Sequence, residues 1–559
     1  MKKLKSLLRQ LIGRSKQQSL TIDIVTPTID GQCVIGWYFT SEVSSLAIAD
    51  KEGIEIPGKQ IDIERQDVEA STGQSAKGFQ LTVKTNKSLS ELNLLAKQTN
   101  GQIYTIPLTS ALVDEHLGPI HSTATGSIAG CFELGVITGK YLFLAGWLID
   151  DRQATEFVIS NGRTNIVKTK NQFLRFRRAD VAEPFGRNYV DSAGILLLCE
   201  LSDDATFDSE KPLFVNISLK DGDTSVKVDQ IYCDEPPMQS ARRILNSWNP
   251  LNPHHIQNSD IVAKPLQSLY ARQRNVSTQR YDFGVATDNP EVSFVIPLYG
   301  RFDFMQYQIS HFERAGYAQN CEIIYVVDDP KIAAKTLRLA QKLSRMFKQS
   351  FSVLVLGENV GFGPANNIGV RHAKADKLIL MNSDVLPSSA DWFERMLTPL
   401  NDETTGIVGA RLLFEDRAIQ HDGMAPMTIS EYPGLLFNDH PYKGWPEKLS
   451  PHASTLSECA LVTAACWAVK KADFISLGGF DPIYVLGDFE DSDLCLKMLK
   501  NGKKNYICRD AVLFHLERQS QNLVDEGKWK HSVTIINAIT YNKRWKAELE
   551  KIRESEEVA

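Results

Sequence analysis

The chain lacks any Cys-x-x-Cys pair, any apolar run of the ~20 residues that cross a bilayer, and any large excess of one charge. Each absence removes a class. Nine cysteines scattered over 559 residues fit the reduced core thiols of a cytosolic protein, not a secreted disulfide framework or a zinc site. Without a long apolar run there is no membrane-spanning helix to expect. A formal charge of −6 gives no electrostatic reason for a nucleic-acid partner. What remains is ordinary globular composition, 43% hydrophobic and 23% charged, in a length that predicts roughly three or four domains.

The N-terminal segment, residues 1–19, opens as MKKLKSLLRQLIGRSK. It is basic, and its leucines recur at helical spacing, but it has no continuous signal-peptide core. Residues 1–16 therefore read either as a helix lying peripherally on the inner face of an anionic membrane or as a short helix docked on its own protein. Residues 20–113 and 127–234 are short alternating strands broken by Gly, Asn, Asp and Ser turns. Three landmarks recur in order. Gly36-Trp37 matches Gly146-Trp147, Arg65-x-Asp67-Val68 matches Arg178-x-Asp180-Val181, and Lys77-Gly78-Phe79 matches Ala193-Gly194-Ile195. The repetition predicts two copies of one β-sandwich-like module. Trp37 and Trp147 are simplest as core residues, with stacking on carbohydrate as the alternative.

Residues 235–289, rich in Pro, Asn, Gln and Ser, read as a linker with one or two helices. After Pro290 the pattern changes. Apolar strands are predicted at 292–298, 322–327, 351–356 and 377–381, with helices up to Gly316, over 333–347 and over 365–373. Alternation of this kind predicts a mostly parallel, Rossmann-like sheet covered on both faces, with ligands at the carboxyl ends of its strands. The unusual polar residues fall at those ends: Tyr299, Asp328 and Asp329, the stretch from Asn359 to Asn367, and Asp384.

Those residue types suit a nucleotide-sugar donor. Asp328 and Asp329 either accept from ribose hydroxyls and a base N–H or make a strand-end turn. Gly361, Phe362 and Gly363 lead into Asn366 and Asn367 at the start of a helix, whose N-terminus favours a diphosphate. Asp384 closes a buried strand, where its carboxylate needs a partner such as Mg²⁺ or Mn²⁺. His515 ends another apolar strand and either completes that metal shell or is an ordinary hydrogen-bonded side chain. Four acids, Asp488, Glu490, Asp491 and Asp493, crowd one helix start. Capping and the helix dipole account for one or two of them. A hydroxyl-activating base is needed as well, with Asp491 the first choice and Glu490 the second. Trp467 and Asp488 stand on the acceptor side.

In this order the motifs resemble the family 2 glycosyltransferases. Val292-Ser-Phe-Val-Ile-Pro-Leu-Tyr299, Glu322-Ile-Ile-Tyr-Val-Val-Asp-Asp329, the Asn359–Gly369 segment, Met381-Asn-Ser-Asp384 and Gly478-Gly-Phe-Asp481 carry the likeness over residues 290–521. The resemblance implies a GT-A fold and a donor site taking in Pro297, Tyr299, Asp328, Asp329 and Ser383. It also implies metal ligation by Asp384 and His515, Asp491 as base, and inversion at the anomeric carbon. Asn382 replaces the first aspartate of the family's Asp-x-Asp, and Ala464-Ala465 replaces its Gly-Ala. Tyr541 stands where processive synthases carry Gln ahead of Arg544-Trp545, so one sugar per acceptor is implied. The resemblance further implies a UDP-, dTDP- or GDP-sugar donor, a hexosyl- or rhamnosyl-type unit and a glycan or lipid-linked acceptor, in surface polysaccharide synthesis. The residues 522–559 read as a helical segment. The rival readings are a scaffold built on a dead transferase domain and a sugar nucleotidyltransferase, though Pro297-Leu-Tyr-Gly-Arg-Phe302 lacks the latter's Gly-rich basic loop.

Overall fold

The computed structural model describes residues 20–108, 129–233, 235–516 and 529–558, with short internal stretches left out. Residues 1–16, Arg65, Asp67 and Asp180, on which expectations fell, lie outside the described residues. The chain divides into two compact units, Met1–Pro236 and Pro237–Ala559. Among the described residues no helix is long and apolar enough to cross a membrane.

The first unit is built of strands whose apolar residues alternate inward. One sheet runs in the order Leu20–Pro27, Gly31–Phe39, Ala76–Lys84, Gly58–Glu64; a second runs Glu55–Ile56, Val43–Asp50, Leu92–Gln98, Ile103–Pro107. Further along, the same two orders recur. One sheet is Ala129–Thr138, Tyr141–Ile149, Gly194–Leu201, Thr169–Phe176, and the other Asn165–Val167, Glu156–Asn161, Leu213–Leu219, Gly222–Lys227. Among the described residues only the short strand Ile231–Tyr232, parallel to Ala129–Thr138, has no counterpart. Each pair of sheets shares one core, with Val34, Phe79, Ile48 and Leu94 in the first and Leu144, Leu197, Ile159 and Val215 in the second. The landmarks coincide in register: Trp37 lies opposite Gly78 and Trp147 opposite Gly194. Gly146 has no room for a side chain, since a Cβ there would sit 2.0 Å from the Cys131 carbonyl oxygen. Trp147 is buried in a small cluster with Val181, and half-buried Trp37 packs against the cluster of Phe39, Val68 and Ala76.

The second unit centres on an eleven-stranded sheet. Its strands are β1 (Thr278–Phe283), β2 (Val292–Leu298), β3 (Cys321–Val327), β4 (Phe351–Leu356), β5 (Lys377–Met381), β6 (Val385–Pro387), β7 (Thr405–Leu413), β8 (Ile419–His421), β9 (Leu456–Glu458), β10 (Cys466–Lys470) and β11 (Lys504–His515). The order is β1-β4-β3-β2-β5-β10-β7-β11-β6, with β8 on β7 and β9 on β11. The helices that position the site are α1 (Phe304–Ala315), α2 (Pro330–Met346), α3 (Phe362–His372), α4 (Glu490–Lys500) and α5 (Trp529–Val558). The continuous apolar strands β2 and β3 form the floor, buried along almost their whole length, as strands covered on both faces must be.

Two expectations are corrected here. The sheet is mixed, not mostly parallel. Strands β4, β3, β2 and β5 run parallel, but β1, β10 and β6 pair antiparallel with their neighbours. The helix-crossover pattern governs only the first half of the domain. The supposed linker is folded: it holds the helices Pro237–Asn246, Pro253–Gln257 and Asp260–Ala271, and β1 forms the edge of the large sheet. Its sequence, TQRYDF, is too polar to announce a strand. Arg280 fixes it by donating to Ser352 Oγ at 2.8 Å and Glu322 Oε1 at 3.2 Å.

Beyond the floor, Asp422, the residue after β8, ties β7 to β11. Its fully buried carboxylate meets Arg411 Nη2 of β7 at 2.9 Å and Arg509 Nε of β11 at 2.8 Å. Truncating it strands two guanidiniums away from water, and breaking such a pair costs about 3–5 kcal/mol. Asp422→Ala should therefore lower the urea midpoint of this unit by that equivalent. A loss near that of an exposed ion pair, under about 1 kcal/mol, would contradict the assignment.

Candidate active site

Strand ends and helix starts bring the polar residues to one edge of the sheet. Asp328 follows β3 and is buried. Its Oδ1 accepts from Val360 N at 2.7 Å; its Oδ2 accepts from Gly361 N at 2.9 Å and Asn359 Nδ2 at 3.0 Å. Burial pushes this carboxyl well above the usual carboxylate range, against the pull of the two amides. Both oxygens are thus engaged by the glycine turn at residues 359–361. Asp329 is half-buried and caps α2 through Lys331 N at 3.0 Å. Pro297 and Tyr299 are half-buried at the end of β2.

Gly361 has φ +88, and a Cβ there would approach Leu486 Cα and O to 3.1 Å, so only glycine fits between the turn and the 485–489 loop. Phe362 N donates to Leu486 O at 3.1 Å. Asn366 is fully enclosed and returns its Nδ2 to Phe362 O at 3.0 Å. It stiffens the first turn of α3, a correction to its expected place against the donor. Asn367 exchanges two hydrogen bonds with the backbone of Phe480, at 2.7 and 3.0 Å.

Asp384 and His515 meet across the pairing of β6 with β11, His515 Nε2 lying 3.3 Å from Asp384 Oδ1. Gln420 sets the ring. Its Nε2 donates to the His515 carbonyl at 3.1 Å, so its Oε1 is the atom that accepts from His515 Nδ1 at 2.6 Å. In the neutral ring this leaves Nε2 unprotonated, a lone pair aimed at a carboxylate oxygen. Two acceptors face to face are the donor set a cation satisfies. Among the described residues no cluster of three or more His, Cys, Asp or Glu forms a metal site. A cation held here would have two protein side chains as ligands and would need oxygens of other origin to complete its shell. Half-buried Ser383 and Asn382 precede Asp384, and Asn382 N donates to Ala465 O at 2.9 Å.

That last bond leads directly to the acids of α4. Ala464 N donates to Asp491 Oδ2 at 3.2 Å, and Ser492 N to Oδ1 at 2.7 Å. The four acids separate by environment. Asp493 has no exposed side-chain surface; it accepts from Trp545 Nε1 at 2.7 Å and Tyr484 Oη at 3.0 Å and pairs with Lys497 at 2.8 Å. It is structural. Asp488 is exposed and accepts from Thr534 Oγ1 at 2.7 Å. Glu490 is buried, and burial and the charges of Asp491 and Asp488 hold its carboxyl well above the usual range. Burial raises Asp491 too, but amides of Ala464 and Ser492 and the hydroxyls of Ser492 and Thr463 oppose it. The pair therefore favours a neutral Glu490 beside an ionised Asp491. Trp467 is fully buried and stacked on Phe480 at 5.5 Å, which corrects its expected place on an acceptor wall.

Several contributors have no local signature in the sequence. Gln420 sits on a three-residue strand; Thr463 and Ala464 act through one hydroxyl and one backbone amide. Tyr270, from the helix in the former linker, brings a buried hydroxyl near Asp328 and Tyr299.

Residues 293–445 match the model of Glycosyl transferase family 2. The chain carries a family 2 glycosyltransferase domain. It is 27% identical over 237 residues to the uncharacterized protein y4gI of Sinorhizobium fredii, covering 42% of this chain and 25% of that protein. It is 24% identical over 237 residues to the O-antigen biosynthesis protein RfbC of Myxococcus xanthus, covering 42% and 18%. The match thus spans a quarter or less of the length of these two relatives. Among solved structures it is similar to GalNAc-T7 with UDP, GalNAc and Mn²⁺ (TM-score 0.36, 16% identity, 46% of this chain and 49% of that one). It is also similar to the mannosyltransferase PcManGT of Pyrobaculum calidifontis with GDP-Man and Mn²⁺ (TM-score 0.31, 15% identity, 54% and 81%).

Proposed function

We propose that this protein is an inverting, non-processive glycosyltransferase of GT-A type. It moves a sugar from a UDP-, GDP- or dTDP-sugar to a hydroxyl of a glycan or lipid-linked acceptor in surface polysaccharide synthesis. The observation that carries the reading is the meeting of His515 Nε2 with Asp384 Oδ1 at 3.3 Å, on the same sheet edge as Asp491. Asp384 and His515 would hold a divalent cation, Mg²⁺ or Mn²⁺. When bound, it neutralises the charge that develops on the departing diphosphate.

Asp491 removes the proton of the acceptor hydroxyl. The oxygen attacks the anomeric carbon from the face opposite the diphosphate; the new C–O bond forms as the phosphate C–O bond breaks, which inverts the centre. Neutral Glu490 keeps a second negative charge away from the donor. The Gly361 turn, whose amides are held by Asp328, sets the start of α3, and that helix N-terminus favours the diphosphate. Asp329, Tyr299, Pro297 and Ser383 border the donor, and Asp488 the acceptor. Transfer of one sugar per encounter is supported by Arg544, which is committed to Asp481 at 2.7 Å and Asp493 at 3.0 Å. In the first unit, the identical strand orders support two copies of one β-sandwich module.

Screening UDP-, GDP- and dTDP-sugars by thermal denaturation tests the donor assignment. A donor at one hundred times its dissociation constant stabilises the folded state by about 2.7 kcal/mol, and each kcal/mol raises the midpoint of a domain this size by roughly 2–4 °C. No rise with any donor, with Mn²⁺ present, would contradict the reading.

A further inference from the structure

Just before α4 the backbone leaves its ordinary regions. Leu486, Asp488 and Phe489 have φ of +65°, +75° and +73°, and they make three of the five non-glycine residues with positive φ among the described ones. Side chains persist in that region only where the surroundings over-determine the backbone. Here the constraint comes from α5. Asn537, with no exposed surface, accepts from Val485 N at 3.0 Å, donates to Val485 O at 3.0 Å and donates again to Gly487 O. One side-chain amide thus does the work of a pairing strand.

Three positions earlier, Thr534 donates to Asp488 Oδ2 at 2.7 Å. One turn later, the Tyr541 ring packs on Phe489 with centroids 5.1 Å apart. Residues i, i+3 and i+7 share one helix face, so a single face of α5 grips the loop along its length. The loop is also held by the Gly361 turn, Phe362 N donating to Leu486 O at 3.1 Å. Glu490 and Asp491, the first residues of α4, leave directly from this clasp.

We propose that Asn537 is a positioning residue for sugar transfer: by fixing loop 485–489 it sets where Glu490 and Asp491 stand relative to the glycine turn. The proposal rests on the reading of Asp491 as the base. It places an essential support of the site on a helix outside the stretch matched by the family model, residues 293–445.

The test uses the full chain and measures release of nucleoside diphosphate, with water as acceptor, from whichever nucleotide sugar stabilises the protein. Asn537→Ala is expected to lower kcat roughly 10²-fold, the scale of a displacement of about 1 Å in a catalytic group, with donor KM changed less than about threefold. The acid limb of its pH profile should move to lower pH, because a loosened loop lets water reach the carboxyls. A purely structural role would lower the melting temperature without that kinetic split or that shift. Thr534→Val, which deletes only the bond to exposed Asp488, should lower kcat several-fold and leave the melting temperature unchanged; it decides the matter if Asn537→Ala does not fold. Unchanged kcat in the folded variants beside an inactive Asp491→Asn overturns the role of Asn537 alone. Full activity of Asp491→Asn overturns the base assignment beneath it.

Discussion

Replacing Asp491 by Asn should lower sugar transfer by about 10²–10⁴-fold, the usual contribution of a positioned general base, while donor binding stays within a few-fold of wild type. The substitution is nearly isosteric, and the amide oxygen still accepts from Ala464 N or Ser492 N, so the start of α4 is preserved. Only the capacity to take a proton is lost. Glu490→Gln discriminates between the two carboxyls. Glu490 is held neutral by burial and its charged neighbours, so its replacement should cost far less. The wild-type profile should show an acid limb above the ordinary carboxylate range of about 4, because Asp491 itself is raised and transfer requires its ionised form. If Glu490→Gln is the silent enzyme and Asp491→Asn the active one, the roles are reversed.

The second large effect concerns the metal. EDTA should abolish transfer in the wild-type protein, with Mn²⁺ or Mg²⁺ restoring it, and Asp384→Asn should not be rescued at the same concentration. Gln420→Leu gives the finer measurement. It removes the acceptor that keeps the proton on His515 Nδ1, and loss of such an orienting partner typically costs 10–100-fold in metal affinity. The metal concentration for half-maximal activity should rise by that factor while the rate at saturation changes little. Activity indifferent to EDTA and to Asp384→Asn would remove the cation from the mechanism.

How much of this was legible follows from the range of each interaction. Strands β2 and β3 announce themselves because unbroken apolar runs have no other use, and Asp384 and His515 stand out as polar residues closing such runs. The glycines announced a turn before α3, but the helix begins at Phe362, three residues ahead of the expected start. Strand β1 was not, because its stability comes from hydrogen bonds to β4 and from Arg280 reaching Glu322 and Ser352, partners 42 and 72 residues away. Asp493 looked like its acidic neighbours, yet its partner Trp545 lies 52 residues on. Trp467 misled for a related reason: composition and spacing do not tell whether a ring faces a pocket or a core.

The placement of β1 has a practical consequence for anyone dividing the molecule. A fragment begun at Pro290, where the family motifs start, would carry all the acids of the rim but would strip the hydrogen-bonded neighbour from Phe351–Leu356. A bare apolar edge of that kind invites a second molecule to pair along it. A cut at Pro237 leaves the border sealed.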